Sequence, residues 1–317
     1  MVIRSDKMEK VIVICGPTAS GKTSLSIELA KKINGEIISA DSMQIYQEMD
    51  IGTAKPNREE RQGIKHYLLD FVSPEERYSV ADYKKDAKKA MEEIIKKGKT
   101  PIVVGGTGLY IDSLIYEIEY PNIKYDENYR KKLEERVRLE GLEKLYEEAE
   151  KIDSVAIQKI SSNDEKRILR ILEIYHATGK TKTEQEIESR KNPIPYDYQV
   201  YALRWDREVL YERINRRVNQ MIEQGLIEEV EKILKKYKKF PTAMQGLGYK
   251  EVVEYLNCKI TKEEMIEKIK METRRYAKRQ MTWFRKNKQT IWLEGQADIK
   301  DNMNVILNNR ERIESNF

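Results

Sequence analysis

The stretch "CGPTASGKTSLSIELA", residues 15–30, carries a G-x-x-x-x-G-K-[ST] pattern between an apolar run and an amphipathic one. Gly16 and Gly21 let the backbone wrap closely enough for its N–H groups to face an anion. Lys22 supplies a mobile positive charge, and the Thr23 hydroxyl can hold a magnesium ion. The helix that follows turns its own N-terminus to the same place. Residues Gly16, Pro17, Thr18, Ala19, Ser20, Gly21, Lys22 and Thr23 therefore read as a polyphosphate cradle. Chains that split a nucleotide add an apolar strand ending in an acid that holds the metal. Here the candidate strand "PIVVGGTG" ends in Gly105-Gly106-Thr107, and the acid comes from "IISADSMQIY", where Asp41 closes the apolar run and meets Ser42 and Gln44. The carboxyl ends of parallel strands open on the side that carries the cradle, so Asp41 is expected to face bound phosphates. Two readings of Asp41 stand at this point, a reacting group and a turn or helix-capping aspartate. Thr107 likewise reads as a site residue or as part of an ordinary glycine-flanked turn.

A second feature lies near the C-terminus. Between Lys268 and Lys288 nine Lys or Arg face the single acid Glu272, with Tyr276, Trp283 and Phe284 among them. Basic side chains neutralise phosphates and aromatic ones stack on unpaired bases, which suits single-stranded or looped nucleic acid. Arg275, Arg279 and Lys286 recur at spacings of four and seven, as on one helical face. The alternative is a solvated helix face whose apolar side, Ile266, Ile269, Tyr276 and Phe284, enters the core.

The elements that must position these residues follow from the rhythm of the chain. Val11–Cys15 is a buried strand, 20–33 an amphipathic helix, 36–40 and 101–104 further strands, and "YQVYALRW" alternates like another. Alternation of strand and helix implies an α/β fold with a parallel sheet around the P-loop. From about Tyr116 the style changes. Pro121 opens a charged stretch of helical periodicity that runs through "NDEKRILRILEIYHATGK" to Pro193 and Pro195. An all-helical insertion is expected over 116–199, with 1–115 and 200–317 forming the core. Long helices are expected over 209–224, 226–239, 252–257 and from Lys262 to about Asn287. The 317 residues are 39% hydrophobic and 36% charged, with a net charge of +5, which suits a soluble globular protein of one large or two modest domains. No apolar run approaches the roughly 18 residues of a membrane span. Two cysteines, Cys15 and Cys258, form no disulfide framework or zinc set, and a reducing, cytoplasmic setting is expected.

The motifs "GPTASGKT", "DSMQIYQEMDIGTAKP", "GGTGLY", "RINRRVNQMIEQGLIEEV", "QGLGYKE" and "TRRYAKRQMTWFR" occur in the order and at the intervals of another known group. In these the chain, from about Lys10 to Trp292, resembles the bacterial tRNA dimethylallyltransferase (isopentenyl-tRNA transferase) family. One departure is "IKHYLLD", residues 64–70, where the family usually has Pro and a second His in place of Lys65 and Tyr67. The resemblance implies transfer of a dimethylallyl group from dimethylallyl diphosphate to the N6 amine of the adenosine 3′ of the anticodon, in tRNAs that read codons beginning with U. The cradle would then hold a leaving diphosphate. By matching position the implied catalytic residues are Asp41 as general base, Thr107 beside it, and Arg217 as a cation on the leaving group. Thr23 would hold Mg2+. The implied tRNA contacts are Asp41, Ser42, Met43, Gln44 and Thr107 at the flipped base, and Lys166, Arg167 and Arg170 on the insertion. Gln245, Gly248, Tyr249 and Lys250, and Lys278, Arg279, Gln280, Trp283 and Arg285, complete the set. A monomer without the zinc finger of eukaryotic relatives is implied. A small-molecule kinase would leave the basic block idle, and a non-catalytic RNA-binding module would leave Lys22, Thr23 and Asp41 unexplained. A relative that prenylates free adenine nucleotides would share the chemistry and differ in acceptor.

Overall fold

The computed structural model describes residues 8–120 and 126–314; Pro121, expected to open the charged stretch, lies outside them. Six strands, β1 Lys10–Cys15, β2 Gly35–Ser39, β3 His66–Tyr67, β4 Thr100–Gly105, β5 Asp197–Arg204 and β6 Ile291–Glu294, form one sheet of order β3-β2-β4-β1-β5-β6. Every pairing is parallel. Val11 to Cys15 are at most 1% exposed. Burial on both faces is why this central strand is a continuous β-branched run and does not alternate. The fold is α/β, as the sequence implies. β3 and β6 are too short to leave a periodic signal and are not among the expected strands.

The helices in chain order are α1 Lys22–Ile33, α2 Val80–Lys96, α3 Gly108–Ile115, α4 Glu127–Glu140, α5 Leu142–Ile152, α6 Ser154–Ile157, α7 Glu165–Thr178 and α8 Lys182–Ser189. After β5 come α9 Arg207–Glu223, α10 Leu226–Lys236, α11 Tyr249–Leu256, α12 Lys262–Phe284 and α13 Ile299–Glu314. α2, also absent from the expected elements, starts with a capping box in which Ser79 and Asp82 satisfy each other's backbone amides. α10 and α12 stop three residues short of their expected ends, at Lys236 and Phe284. None of the helices, among the described residues, is long and apolar enough to cross a membrane.

The chain divides into two compact units, Met1–Ile111 with Pro195–Phe317, and Asp112–Ile194. In the first, Ile12, Ile14, Leu25, Leu29, Ile37, Ile102 and Tyr201 form the core beside the sheet. A second core joins the loop after β2 to the C-terminal helices: Ile45, Tyr46 and Met49 pack with Val218, Leu226, Val230, Tyr249, Val252 and Ile269. Each large apolar side chain buried there contributes roughly 1.5–3 kcal/mol, so the loop is fixed by packing over its length. In the second unit α4, α5 and α7 meet through Leu133, Leu145, Ala149, Ile168 and Leu172. Asp153 accepts from the Ala156 and Thr183 amides, both at 2.9 Å, and so ties α8 to the start of α6.

Because all strands are parallel, the loops after β1, β2, β4 and β5 emerge on one side of the sheet. Two of them touch through backbone: a Cβ at Gly105 would lie 2.1 Å from the Ala40 carbonyl oxygen. Gly105→Ala should therefore cost about 3 kcal/mol, the upper end of ordinary overpacking. Urea unfolding of parent and variant measures it, and coincident midpoints would show that the two strand ends can part freely.

Candidate active site

The cradle runs from the end of β1 to the start of α1. Ala19 (φ 61°) and Gly21 (φ 91°) take the left-handed backbone that turns the loop. Its carbonyls are held from outside. The Trp205 indole N–H donates to Ser20 O at 3.0 Å, the Arg213 Nε donates to Ala19 O at 2.9 Å, and the Arg213 guanidinium lies 4.2 Å over the Trp205 ring. Carbonyls tied outward leave the inner face of the loop to amides, the polarity an anion requires. The Lys22 ammonium donates to Gly16 O at 2.9 Å and Pro17 O at 2.6 Å. Burial pushes its pKa down to about 8; the Asp41 carboxylate opposes the fall and Arg217 adds to it. On α9 the Arg217 guanidinium is likewise pushed down by burial, with Asp41 and Glu60 pulling it back. Lys22 thus feels Arg217, Arg217 feels Arg213, and both Lys22 and Arg217 feel Asp41.

Asp41 follows β2. Its Oδ1 accepts the Met43 amide at 2.9 Å and the Gln44 amide at 3.3 Å, so the turn-capping role is present. Thr107 is held beside it: its amide donates to Ala40 O at 3.1 Å, and its Oγ1 accepts the Ser42 amide at 3.0 Å. The Gln44 side chain is occupied, donating to Thr53 O and Ala54 O, both at 3.2 Å. Met43 packs toward Gly246, where an added Cβ would meet its methyl at 2.7 Å.

α12 closes the arrangement with two side chains one turn apart. Gln280 is 5% exposed; its Oε1 accepts the Thr18 amide at 3.0 Å and its Nε2 donates to Gly106 O at 2.9 Å. One amide group thereby joins the cradle to the glycine turn. Tyr276 hydrogen-bonds Thr107 and Gln280, and its phenol is pushed up to about 12 by burial first and by the Asp41 carboxylate second. Arg213 and Trp205 are not among the residues the sequence singles out, and Tyr276 is singled out there only as a base-stacking or core residue of the basic block. The four-residue spacing of Tyr276 and Gln280 is the signal that places both on one helical face.

Asp41, Thr107 and the glycine turn therefore stand beside the cradle, where Lys22 and Arg217 both feel the Asp41 charge. A profile of the family described as IPP transferase matches residues 44–287. The tRNA dimethylallyltransferase of Acetivibrio thermocellus is 53% identical over 287 residues, 90% of this chain and 92% of that one. The chain belongs to the IPP transferase family. A tRNA dimethylallyltransferase of Carboxydothermus hydrogenoformans is 51% identical over 286 residues, 90% and 92% of the two chains. Among solved structures, the tRNA isopentenylpyrophosphate transferase of Bacillus halodurans superposes with a TM-score of 0.71 at 41% identity, covering 98% of this chain and 100% of that one. A eukaryotic dimethylallyltransferase acting on tRNA superposes with a TM-score of 0.77 at 34% identity, covering 90% and 74%.

The remaining positions that match the IPP transferase motifs are spread over both units. Lys166, Arg167 and Arg170 lie exposed on α7, with Arg167 paired to Asp164 at 3.3 Å and Arg170 to Glu173 at 3.1 Å. Gln245 is exposed, whereas Gly248 is buried and Tyr249 is 0% exposed, its hydroxyl given to Glu229 at 2.6 Å. The Lys250 ammonium lies 3.4 Å from Glu251. Lys278, Arg279 and Arg285 are exposed. Trp283 lies where a Cβ on Gly108 would meet its ring at 2.3 Å. Since α12 ends at Phe284, Lys286 sits in the following turn, with its ammonium 4.8 Å over Trp283, and does not continue the helical face of Arg275 and Arg279. Among the described residues no cluster of three His, Cys, Asp or Glu could hold a metal. The exposed Thr23 hydroxyl at the start of α1 fits a magnesium ion held mainly by substrate phosphates and water.

Free Lys22 loses its proton as pH rises through about 8, while a bound anion favours the charged form. Affinity for inorganic pyrophosphate should be pH-independent below that point, apart from the ligand's own titration, and weaken by up to about tenfold per pH unit above it. Lys22→Arg stays charged throughout and should lack this limb. Calorimetric titrations of both proteins across pH 6–10 decide it, and the same limb in both would clear Lys22 of the role.

Proposed function

We propose that this protein transfers the dimethylallyl group of dimethylallyl diphosphate to the exocyclic N6 amine of the adenosine 3′ of the anticodon, position 37, in tRNAs reading codons that begin with U. The observation that carries the reading is that two half-buried cations, Lys22 and Arg217, both feel the Asp41 carboxylate beside a phosphate cradle. An amine whose lone pair is spread into an adenine ring needs an acceptor in the place of Asp41, because its proton must leave as it attacks.

In the step itself a bond forms between N6 and C1 of the dimethylallyl group, and the C1–O bond to diphosphate breaks. The Asp41 carboxylate, with Oδ1 held by two amides, takes the N6 proton at its other oxygen. Diphosphate leaves with the electron pair and is met by the amides of Ala19 to Thr23, the Lys22 ammonium and the Arg217 guanidinium. A magnesium ion at Thr23 would supply further charge neutralisation of the diphosphate. Thr107 holds the turn that presents the base, with Ser42, Met43 and Gln44 next to the flipped nucleobase. The helical insertion contacts tRNA through Lys166, Arg167 and Arg170, and the exposed side of α12 with the turn after it contacts it through Lys278, Arg279, Arg285 and Trp283. The protein acts as a monomer in the cytoplasm.

Incubation with labelled dimethylallyl diphosphate or labelled ATP, each with tRNA or AMP, should place label on tRNA from the prenyl donor alone; label on AMP would move the acceptor, and label from ATP would make it a kinase. Asp41→Asn keeps an acceptor for the Met43 and Gln44 amides and removes the base, so it should lower kcat by about 100-fold or more with tRNA affinity retained. Activity within a few fold of the parent would reduce Asp41 to its turn. Replacing Arg275, Arg279 and Lys286 together by Gln should flatten the slope of log tRNA affinity against log salt by about two units. Parallel lines would leave these three side chains without a phosphate partner.

A further inference from the structure

The loop from Asp41 to Lys55 carries the acceptor side of the site, and its far end is gripped by one carboxylate. Glu229, in the first turn of α10, accepts three successive backbone amides: Asp50 at 3.0 Å and Ile51 at 2.7 Å on Oε2, and Gly52 at 3.2 Å on Oε1. The Tyr249 hydroxyl donates to the same Oε1 at 2.6 Å. Nothing larger than glycine fits at position 52, where a Cβ would lie 2.4 Å from the Tyr249 ring. Lys55, with its side chain 3% exposed, fixes the other flank: its ammonium reaches Asp50 and Asp70 at 2.7 Å each and donates to Tyr46 O at 2.7 Å.

Between these anchors lies a continuous path of hydrogen bonds. The amides of 50–52 are spent on Glu229, and the carbonyls of Thr53 and Ala54, next in the chain, accept both protons of the Gln44 carboxamide at 3.2 Å. The Gln44 backbone amide in turn donates to Asp41 Oδ1. A charged acceptor in a nest of three amides holds backbone more tightly than neutral partners do. The Asp50 carboxylate itself is taken by Lys55 at 2.7 Å.

We propose that Glu229 is a positioning residue for the acceptor side of the site: it sets the 50–54 backbone, which orients Gln44 and through it the Asp41 carboxylate. The inference rests on the reading of Asp41 as the base. Glu229 touches no reacting atom, so its removal should appear in turnover and not in diphosphate binding. In the full-length chain, Glu229→Gln presents an NH2 group where an acceptor is needed, and Glu229→Ala presents nothing. Both should lower kcat at saturating tRNA by about tenfold or more, the scale of a small misplacement near the chemistry, with the KM for dimethylallyl diphosphate within about twofold of the parent. Amide hydrogen exchange supplies a readout independent of activity: protection should fall at 42–44 as well as at 50–54, and stay unchanged at 16–23. If the Ala variant fails to fold, the near-isosteric Gln variant carries the same test. A folded variant with unchanged kcat, or one that opens at 50–52 while 42–44 stays protected, overturns the relay. A parent that moves no prenyl group to tRNA would instead overturn the functional reading and leave the exchange result to decide the relay alone.

Discussion

At the carboxyl end of the sheet the Ala40 carbonyl accepts the Thr107 amide at 3.1 Å and occupies the space that any Cβ on Gly105 would need. Two strand ends therefore meet backbone to backbone, and this contact sets the distance between the Asp41 turn and the glycine turn. From it the rest can be traced. Thr107 is brought to Ser42, Gly106 O is brought to the Gln280 carboxamide, and Gln280 reaches on to Thr18 of the cradle. A substitution at any of these places would act on donor and acceptor sides together, because a single buried amide joins them.

The charges impose a second condition. Lys22 and Arg217 are both lowered by burial, Arg217 lowers Lys22 further and Arg213 lowers Arg217, while Asp41 relieves part of each fall. A direct pair between Lys22 and Asp41 would bury both partners in each other and leave neither for chemistry. The loop avoids this by giving the ammonium the carbonyls of Gly16 and Pro17. A multiply charged anion is the partner that satisfies two cations at once. Its departure is also the event in which negative charge grows, so the same groups serve the leaving side of the reaction.

Most of the frame was legible in the chain. "VIVIC" announced a doubly buried strand, the G-x-x-x-x-G-K-[ST] spacing announced the cradle, and Asp41 stood out as an acid closing an apolar run. The elements that escaped did so for physical reasons. β3 has two residues and β6 four, too few for a period, and each is a strand only because a neighbour offers its edge. The supports of the site escaped for another reason. Trp205, Arg213, Glu229 and Tyr276 are each ordinary in their own helix or strand end, and they acquire a role from partners about 20 to 190 positions away in sequence. Gln280 and Tyr249 lie in motifs that look like surface recognition, yet both are almost fully buried. A motif reports that a side chain matters without reporting which way it points.

Strand order explains why those distant partners meet. β4 and β5 lie on opposite sides of β1, so the chain between them must cross from one side of the central strand to the other. That crossover carries the unit Asp112–Ile194, which has its own core and its own internal caps. The register of β5 against β1 is set by six paired residues and does not depend on the length of the crossover. Once β5 is paired, Trp205 follows at its carboxyl end beside the cradle, and α9 carries Arg213 and Arg217 on from there. The cradle at residues 16–23 thus receives its outer clasp and its second cation from residues 205–217 through one parallel pairing. An insertion placed in this crossover is free to vary in length and surface, because the contacts that define the site are made by strand ends and by the helices that follow β5.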